Sequence, residues 1–157
     1  MAKTSAARDD HSLSHGDDDR HIVEAQLGRR PRGKWRVARR CHLGVPMVIE
    51  NHPRLDDGSP FPTTFWLTCP LLVRRVGTLE SQGMLTEVTR LLGADDDLRK
   101  RMSSALGRYR VRRDSHEALD EWGSPPGGGP ERVKCLHAHV AHELADPPNP
   151  AGAIALE

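Results

Sequence analysis

The sequence has none of the long apolar segments that mark membrane-spanning or secreted proteins. Nowhere do 18 apolar residues follow one another, and the N-terminus carries no apolar run of signal-peptide length. Cysteine is scarce, and the odd count of three excludes a complete disulfide framework within the chain. We therefore expect a cytoplasmic protein without a membrane span, whose thiols stay reduced.

The chain also has little net charge and a low apolar content. The balance of 23 Lys and Arg against 22 Asp and Glu leaves +1, which argues against general binding of nucleic acid. A length of 157 residues suits one domain with a core, although 36% apolar residues is low for a fully compact chain. Residues 1–20 contain almost no large apolar side chain, so we expect a disordered tail there. Residues 21–155 are then expected to form a single domain.

The basic residues are concentrated in one segment. Residues 29–40 hold seven Arg or Lys in twelve positions. Arg36, Arg39 and Arg40 are candidate contacts for an anion or a partner, and Trp35 between them could stack on a base. A strand at the edge of a sheet, facing solvent or a partner protein, explains the same residues without nucleic acid.

Short strand-like segments precede a longer region of helical periodicity. Strands are expected at residues 35–39, 45–49 and 63–68, with residues 41–44 as a turn. Apolar spacing and Gly or Pro punctuation predict a short helix at residues 21–28 and longer ones at 70–83, 84–92, 95–122 and 131–145. The predicted fold is α+β, with a small N-terminal antiparallel sheet of about three strands packed against about four helices.

The three cysteines suggest a shared metal site. Thiolate and imidazole are ligands for zinc and for softer metals. Cys41 lies in a turn backed by Gly44, and Cys69 lies at a helix start, where the helix dipole favours a thiolate. Three thiolates and one imidazole suit structural zinc, and an iron–sulfur cluster is the second choice. The competing interpretation for each cysteine is a small side chain packed in the core.

Three histidines close to Cys135 compete for the fourth ligand position. On a continuous helix at about 100° per residue, Cys135, His139 and His142 share one face, whereas His137 points elsewhere. This face lies opposite the apolar stripe of the helix, so solvated side chains explain it as well as metal ligands do.

Two further groups of residues carry weaker signals. Glu50, Asn51, His52 and Arg54 could supply a general base, or they could form an ordinary network of a polar loop. Cys69 could act as a nucleophile if a histidine served as its base.

Several strings of residues resemble a bacterial family known as domain of unknown function 501, found mainly in actinobacteria. The resemblance covers roughly residues 30–155, and its most distinctive strings are Pro60-Phe61-Pro62-Thr63, Leu67-Thr68-Cys69-Pro70 and Val133-Lys134-Cys135-Leu136-His137. The family has no established activity. Its usual gene neighbours, a septum-formation-initiator-like protein and an exopolyphosphatase-like protein, imply a link to cell division or polyphosphate metabolism.

The family pattern maps onto Cys135, His137 and His142 and leaves His139 unmatched. Because helical geometry and resemblance agree only on His142, the first-choice ligand set is Cys41, Cys69, Cys135 and His142, with His137 and His139 behind. The leading hypothesis is a metal-binding domain. Its rivals are a metal-free interaction module that binds a cell-division partner, and a Cys-dependent hydrolase or transferase, so enzymatic activity stays open.

Overall fold

The computed structural model describes residues 16–119 and 125–157. These residues contain three strands and six helices, so the predicted α+β class is confirmed. In chain order the elements are α1 (Asp17–Leu27), β1 (Trp35–Arg40), β2 (Pro46–Asn51), β3 (Phe65–Leu67), α2 (Pro70–Ser81), α3 (Met84–Ala94), α4 (Asp96–Asp114), α5 (Leu136–Ala145) and α6 (Pro150–Leu156).

The strands form one antiparallel sheet with β2 in the centre. The turn between β1 and β2 is the predicted one, closed by a hydrogen bond from the Gly44 N–H to the Cys41 carbonyl at 2.9 Å. Gly44 has a φ of 78°, which glycine adopts without the steric cost of a side chain.

Side chains alternate between the two faces of β2 and so contribute to two separate apolar clusters. Val48 joins the larger cluster, which also contains Phe65, Met102 and Leu136. Ile49 faces the other way and packs with Trp35 and with Val23 of α1. One face of the sheet is therefore covered by α1, and the other by the later helices.

Helix α5 lies against the sheet and is central to the larger cluster. Its Leu136, Val140 and Ala141 are fully buried. Helix α4 supplies Tyr109, whose hydroxyl accepts a hydrogen bond from the Thr64 N–H at 2.7 Å. Burial is the main reason that the pKa of Tyr109 rises to about 12.

Several element boundaries differ from the sequence predictions. The last predicted helix was expected from residue 131, but α5 begins at Leu136 with Cys135 as its N-cap. Helix α1 begins at Asp17, inside the predicted disordered tail, so residues 17–20 are helical; residues 1–15 lie outside the described residues. Helix α4 ends at Asp114, so the helix predicted to run to about Trp122 was too long: residues 115–119 are not helical, and Trp122 itself lies outside the described residues.

Helix α6 was not predicted, because the proline-rich segment before it was interpreted only as a helix stop. Asn149 is its N-cap, and the side-chain oxygen accepts the Gly152 N–H at 3.0 Å. Pro150 occupies the first turn, where its missing N–H costs no helical hydrogen bond.

Candidate metal centre at the start of α5

The structure does not bring the predicted ligands Cys41, Cys69, Cys135 and His142 together. Cys41 lies in the β1–β2 turn, whereas Cys69 and Cys135 are the N-caps of α2 and α5. All three are free, partly buried cysteines. Within the described residues, a single group of at least three potential metal ligands has its ligand atoms within 4.8 Å of one another, and it consists of Glu80, Cys135 and His137.

His142, the first-choice histidine ligand, is instead a core residue. Its ring stacks on Phe65 at 5.6 Å and meets the edge of Tyr109 at 5.3 Å. The side chain is 1% exposed. Burial lowers the pKa of His142 to about 4, so the ring is neutral near pH 7.

Asn149 connects His142 to His139, which is also buried. Because its Oδ1 accepts the Gly152 N–H, its Nδ2 must face the two rings, and it donates to Nδ1 of His139 at 3.1 Å and of His142 at 2.9 Å. Both histidines therefore carry their proton on Nε2. The His139 Nε2 donates to the Gly127 carbonyl at 2.9 Å, and burial lowers the pKa of His139.

His137 lies beside Cys135 because the helix begins only after the cysteine. As the N-cap, Cys135 has an extended backbone, with φ of −152° and ψ of 113°. The rule of about 100° per residue, which separated these two side chains in the sequence analysis, applies only inside a helix. His137 was ranked below His142 because the helix was predicted to begin at residue 131, whereas α5 begins at Leu136.

Glu80 reaches this site from the last turn of α2. Its Oε1 accepts the Leu136 N–H at 2.7 Å, which satisfies one of the unpaired donors at the start of α5. The same oxygen lies 3.3 Å from Nδ1 of His137. Both side chains are partly exposed, at 24% for Glu80 and 29% for His137.

The hydrogen bonds of His137 determine which ring nitrogen is available. Nε2 lies 3.1 Å from the Val73 carbonyl oxygen, which can only accept, so Nε2 carries a proton. In the neutral ring, Nδ1 then directs a lone pair at the Glu80 carboxylate. Two electron-rich atoms 3.3 Å apart repel unless a proton or a metal ion lies between them.

A cavity of about 560 Å³ adjoins this group, and Cys135 and His137 form part of its wall. The rest of the lining is mainly apolar and includes Phe65, Trp66 and Leu67 from β3. A ligand of moderate size could therefore reach an ion held by Glu80, Cys135 and His137.

The predicted polar site around Glu50 is a separate, tightly bonded cluster. Glu50 is 1% exposed and accepts hydrogen bonds from Arg36, Arg112 and His116. Burial alone would raise the pKa of Glu50, but these donors outweigh it and lower the pKa to about 2. The carboxylate is therefore a fixed anion that holds β2 and α4 together, which does not suit a general base near pH 7.

The other residues predicted for that polar site have local structural contacts. Asn51 donates through Nδ2 to the Thr63 carbonyl at 3.1 Å, and Nδ1 of His52 accepts the Arg54 N–H at 3.2 Å. The Arg54 side chain forms an ion pair with Glu117.

The basic strand is partly engaged within the chain. Arg36 binds Glu50, and Arg40 forms two hydrogen bonds with Asp19 of α1, at 2.7 and 2.8 Å. Arg39 is exposed. Of the three predicted contacts for an anion or a partner, two therefore also stabilise the fold.

Sequence reasoning missed Glu80, Arg112, His116 and Asn149. Glu80 precedes its partner Leu136 by 56 residues, and no local pattern around it differs from that of an ordinary helix end. Asn149 carried a usable signal, since an Asn directly before Pro is typical of a helix N-cap.

Comparisons with known proteins give one match. A family model described as "Protein of unknown function (DUF501)" matches residues 37–157. No curated protein and no solved structure matches the chain. Across the two described ranges, no helix has both the length and the apolar character that a membrane span requires.

Proposed function

The chain belongs to the DUF501 family of proteins of unknown function, and we propose that it binds one divalent transition metal, with zinc as the first choice. The ligands are Glu80, Cys135 and His137, one each of oxygen, sulfur and nitrogen. All three residue types are established zinc ligands. This set replaces the four-residue set favoured by the sequence.

The observation that carries the proposal is the orientation of His137. Its Nε2 bonds to the Val73 carbonyl, the arrangement by which metal-bound histidines commonly fix their tautomer. That leaves Nδ1 as the ligand nitrogen, 3.3 Å from the Glu80 oxygen. Ligand atoms in a tetrahedral zinc site lie about 3.5 Å apart, so these two need almost no rearrangement.

Three protein ligands leave one tetrahedral position open, and the apolar cavity adjoins it. Structural zinc sites normally have four protein ligands, whereas zinc sites that bind a water or a substrate have three. We therefore place the site in the open class. Zinc there would act as a Lewis acid toward a ligand bound in the cavity.

An iron–sulfur cluster fits the same residues less well. Such clusters are held mostly by four cysteine thiolates. Only Cys135 contributes a sulfur to this group, since Cys41 and Cys69 do not belong to it.

The geometry also favours metal binding over nucleophilic catalysis by Cys135. A histidine that activates a thiol needs a ring nitrogen directed at that thiol. In His137, Nε2 faces Val73 and Nδ1 faces Glu80. Neither ring nitrogen has the Cys135 thiol as its hydrogen-bond partner.

The competing account of the group is an ion pair between a protonated His137 and Glu80, with no metal. A zinc titration of untagged protein against a chromophoric chelator separates the two accounts. The proposal predicts one zinc per chain, with binding weakened at least about a hundredfold by Cys135→Ala and by His137→Gln. Cys41→Ala and Cys69→Ala are matched controls and should bind as the unaltered chain does. Zinc binding that is equally weak in all four variants, or absent from the unaltered chain, would overturn the proposal.

A further inference from the structure

A second cavity, of about 810 Å³, lies between the sheet and α4 and is separate from the proposed metal centre. Three arginines line it, Arg36 from β1 and Arg108 and Arg112 from α4. The acidic residues in its wall are Glu50 and Asp146. Three positive and two negative charges leave this cavity with a net positive charge.

Glu50 holds two of these guanidinium groups in fixed positions. Arg36 binds it through Nε at 2.9 Å and Nη2 at 2.8 Å, and Arg112 binds it through Nε at 2.6 Å and Nη2 at 3.0 Å. The Nη1 group of each arginine lies outside these contacts. The buried Glu50 carboxylate thus fixes both guanidinium groups in place. Their Nη1 sides remain able to donate hydrogen bonds to a further acceptor.

Two buried donors near the same cavity have no hydrogen-bond partner. They are Nε of Arg108 and Nε2 of His142. Nε2 of His142 carries the proton, because Nδ1 accepts from Asn149. Each of these nitrogens lies 3.7 Å from Oδ2 of Asp146, too far for a hydrogen bond.

A buried N–H without an acceptor costs free energy, and a bound acceptor would recover it. His142 does not itself line the cavity and contacts it only through Phe65, on which its ring stacks, and Asp146. Arg108 itself lines the cavity, so its guanidinium group is a third donor that is independent of the Glu50 cluster.

We propose that this cavity binds the phosphoryl group of a small organic phosphate. A phosphoryl group has three terminal oxygens and carries up to two negative charges, so it suits three arginines on different sides better than the two oxygens and single charge of a carboxylate do. Arg108 and the outer edges of Arg36 and Arg112 are the donors. Val37, Phe65 and Val111 form the apolar wall that contacts the organic part.

Calorimetric titration of the full chain with phenyl phosphate at constant ionic strength tests this site. We expect saturable binding of one ligand per chain, and weaker binding of inorganic phosphate, which lacks the apolar part. Arg108→Gln should weaken phenyl phosphate binding at least about tenfold. Arg101→Gln removes the same charge from an exposed position of α4 and should change the affinity by less than about twofold.

A second pair of variants keeps the test decisive if Arg108→Gln fails to fold. Val111 is 72% exposed and lines the cavity, so its replacement leaves the core intact. Val111→Glu should abolish binding by charge repulsion, whereas Val111→Gln, of nearly the same size, should retain it. Absence of saturable binding, equal loss in the two arginine variants, equal affinity in the two Val111 variants, or equal affinity for the two phosphates would overturn the proposal.

Discussion

The two ends of α5 carry the same residue type in opposite roles. At its start, His137 is 29% exposed, borders a cavity and lies next to a thiol and a carboxylate. Further along, His139 and His142 are buried and share the side chain of Asn149.

The difference lies in what occupies each Nδ1. In the two buried rings, Nδ1 accepts an N–H from a neutral amide, so no cation is needed. In His137, Nδ1 faces a carboxylate oxygen, an arrangement that requires a positive charge. Histidine content alone therefore does not distinguish a candidate metal ligand from a core residue, whereas the partner of each ring nitrogen separates His137 from His139 and His142.

The largest expected effect is a loss of folding stability caused by a substitution where α6 packs against the buried part of α5. A Cβ at Gly152 would overlap the carbonyl oxygen of His139, because α6 approaches α5 closely there. Since backbone atoms cannot easily move aside, we expect Gly152→Ala to lower the free energy of unfolding by more than about 3 kcal/mol in urea unfolding.

Gly93→Ala is the matched control for this effect. Gly93 is exposed in α3, with nothing within 4 Å of an added Cβ. The same exchange there should stabilise the chain by about 0.5–1 kcal/mol. Similar stabilities for the two variants would show that the close contact between α5 and α6 is not as described.

The next effect is a loss of stability at mildly acidic pH. His142 has a pKa of about 4 in the folded chain, against an ordinary value of 6.5, so the unfolded chain binds the extra proton between these values. The contribution of the neutral His142 ring to the free energy of unfolding is therefore fully present above about pH 6.5. It falls by about 2–3 kcal/mol as the pH drops to 4. His139, whose pKa is also lowered, acts in the same direction.

Unfolding measured in urea at several pH values between 7 and 4 checks this loss. The lowered pKa of Glu50 contributes in a different window, below its ordinary value of 4.5. His142→Gln should therefore show a shallower fall between pH 6.5 and 4.5 than the unaltered chain. An unchanged slope in that variant would contradict a neutral, buried His142.

The smallest effect concerns the stability of the exposed end. Without metal, His137→Gln should cost less than about 1 kcal/mol, because the side chain is partly exposed and makes one hydrogen bond to a carbonyl. His139→Gln, in the same helix, should cost about 2 kcal/mol because it disrupts a buried network. Thermal unfolding of the two metal-free variants compares these costs directly. A larger loss of stability in His137→Gln than in His139→Gln would contradict the roles assigned to the two histidines.

Local patterns in the sequence predicted the three strands and the apolar stripe of the last helix. Val48 and Ile49 lie in a short apolar run that was correctly predicted to be a strand, and Leu136 and Val140, which recur at helical spacing on the apolar stripe of the last helix, are buried as that stripe predicts. The start of α5 depended instead on Cys135 adopting an extended backbone, and no residue pattern around it marks that change.

The candidate site could be predicted only in part. Cys135 and His137 are near neighbours in the chain, and both were among the candidate ligands. Glu80 joins them only because α2 packs against α5, a tertiary contact with no local signal. The same reason hid the cluster of Glu50 with Arg112 and His116, which joins residues more than 60 positions apart.

The central claim is that one metal ion is held by one sulfur, from Cys135, together with His137 and Glu80. X-ray absorption at the zinc edge of the loaded, untagged chain counts these ligands directly. Our account predicts a single sulfur at about 2.3 Å, with nitrogen and oxygen ligands at about 2.0–2.2 Å. Three sulfurs, as in a site shared with Cys41 and Cys69, or no sulfur at all, would contradict it.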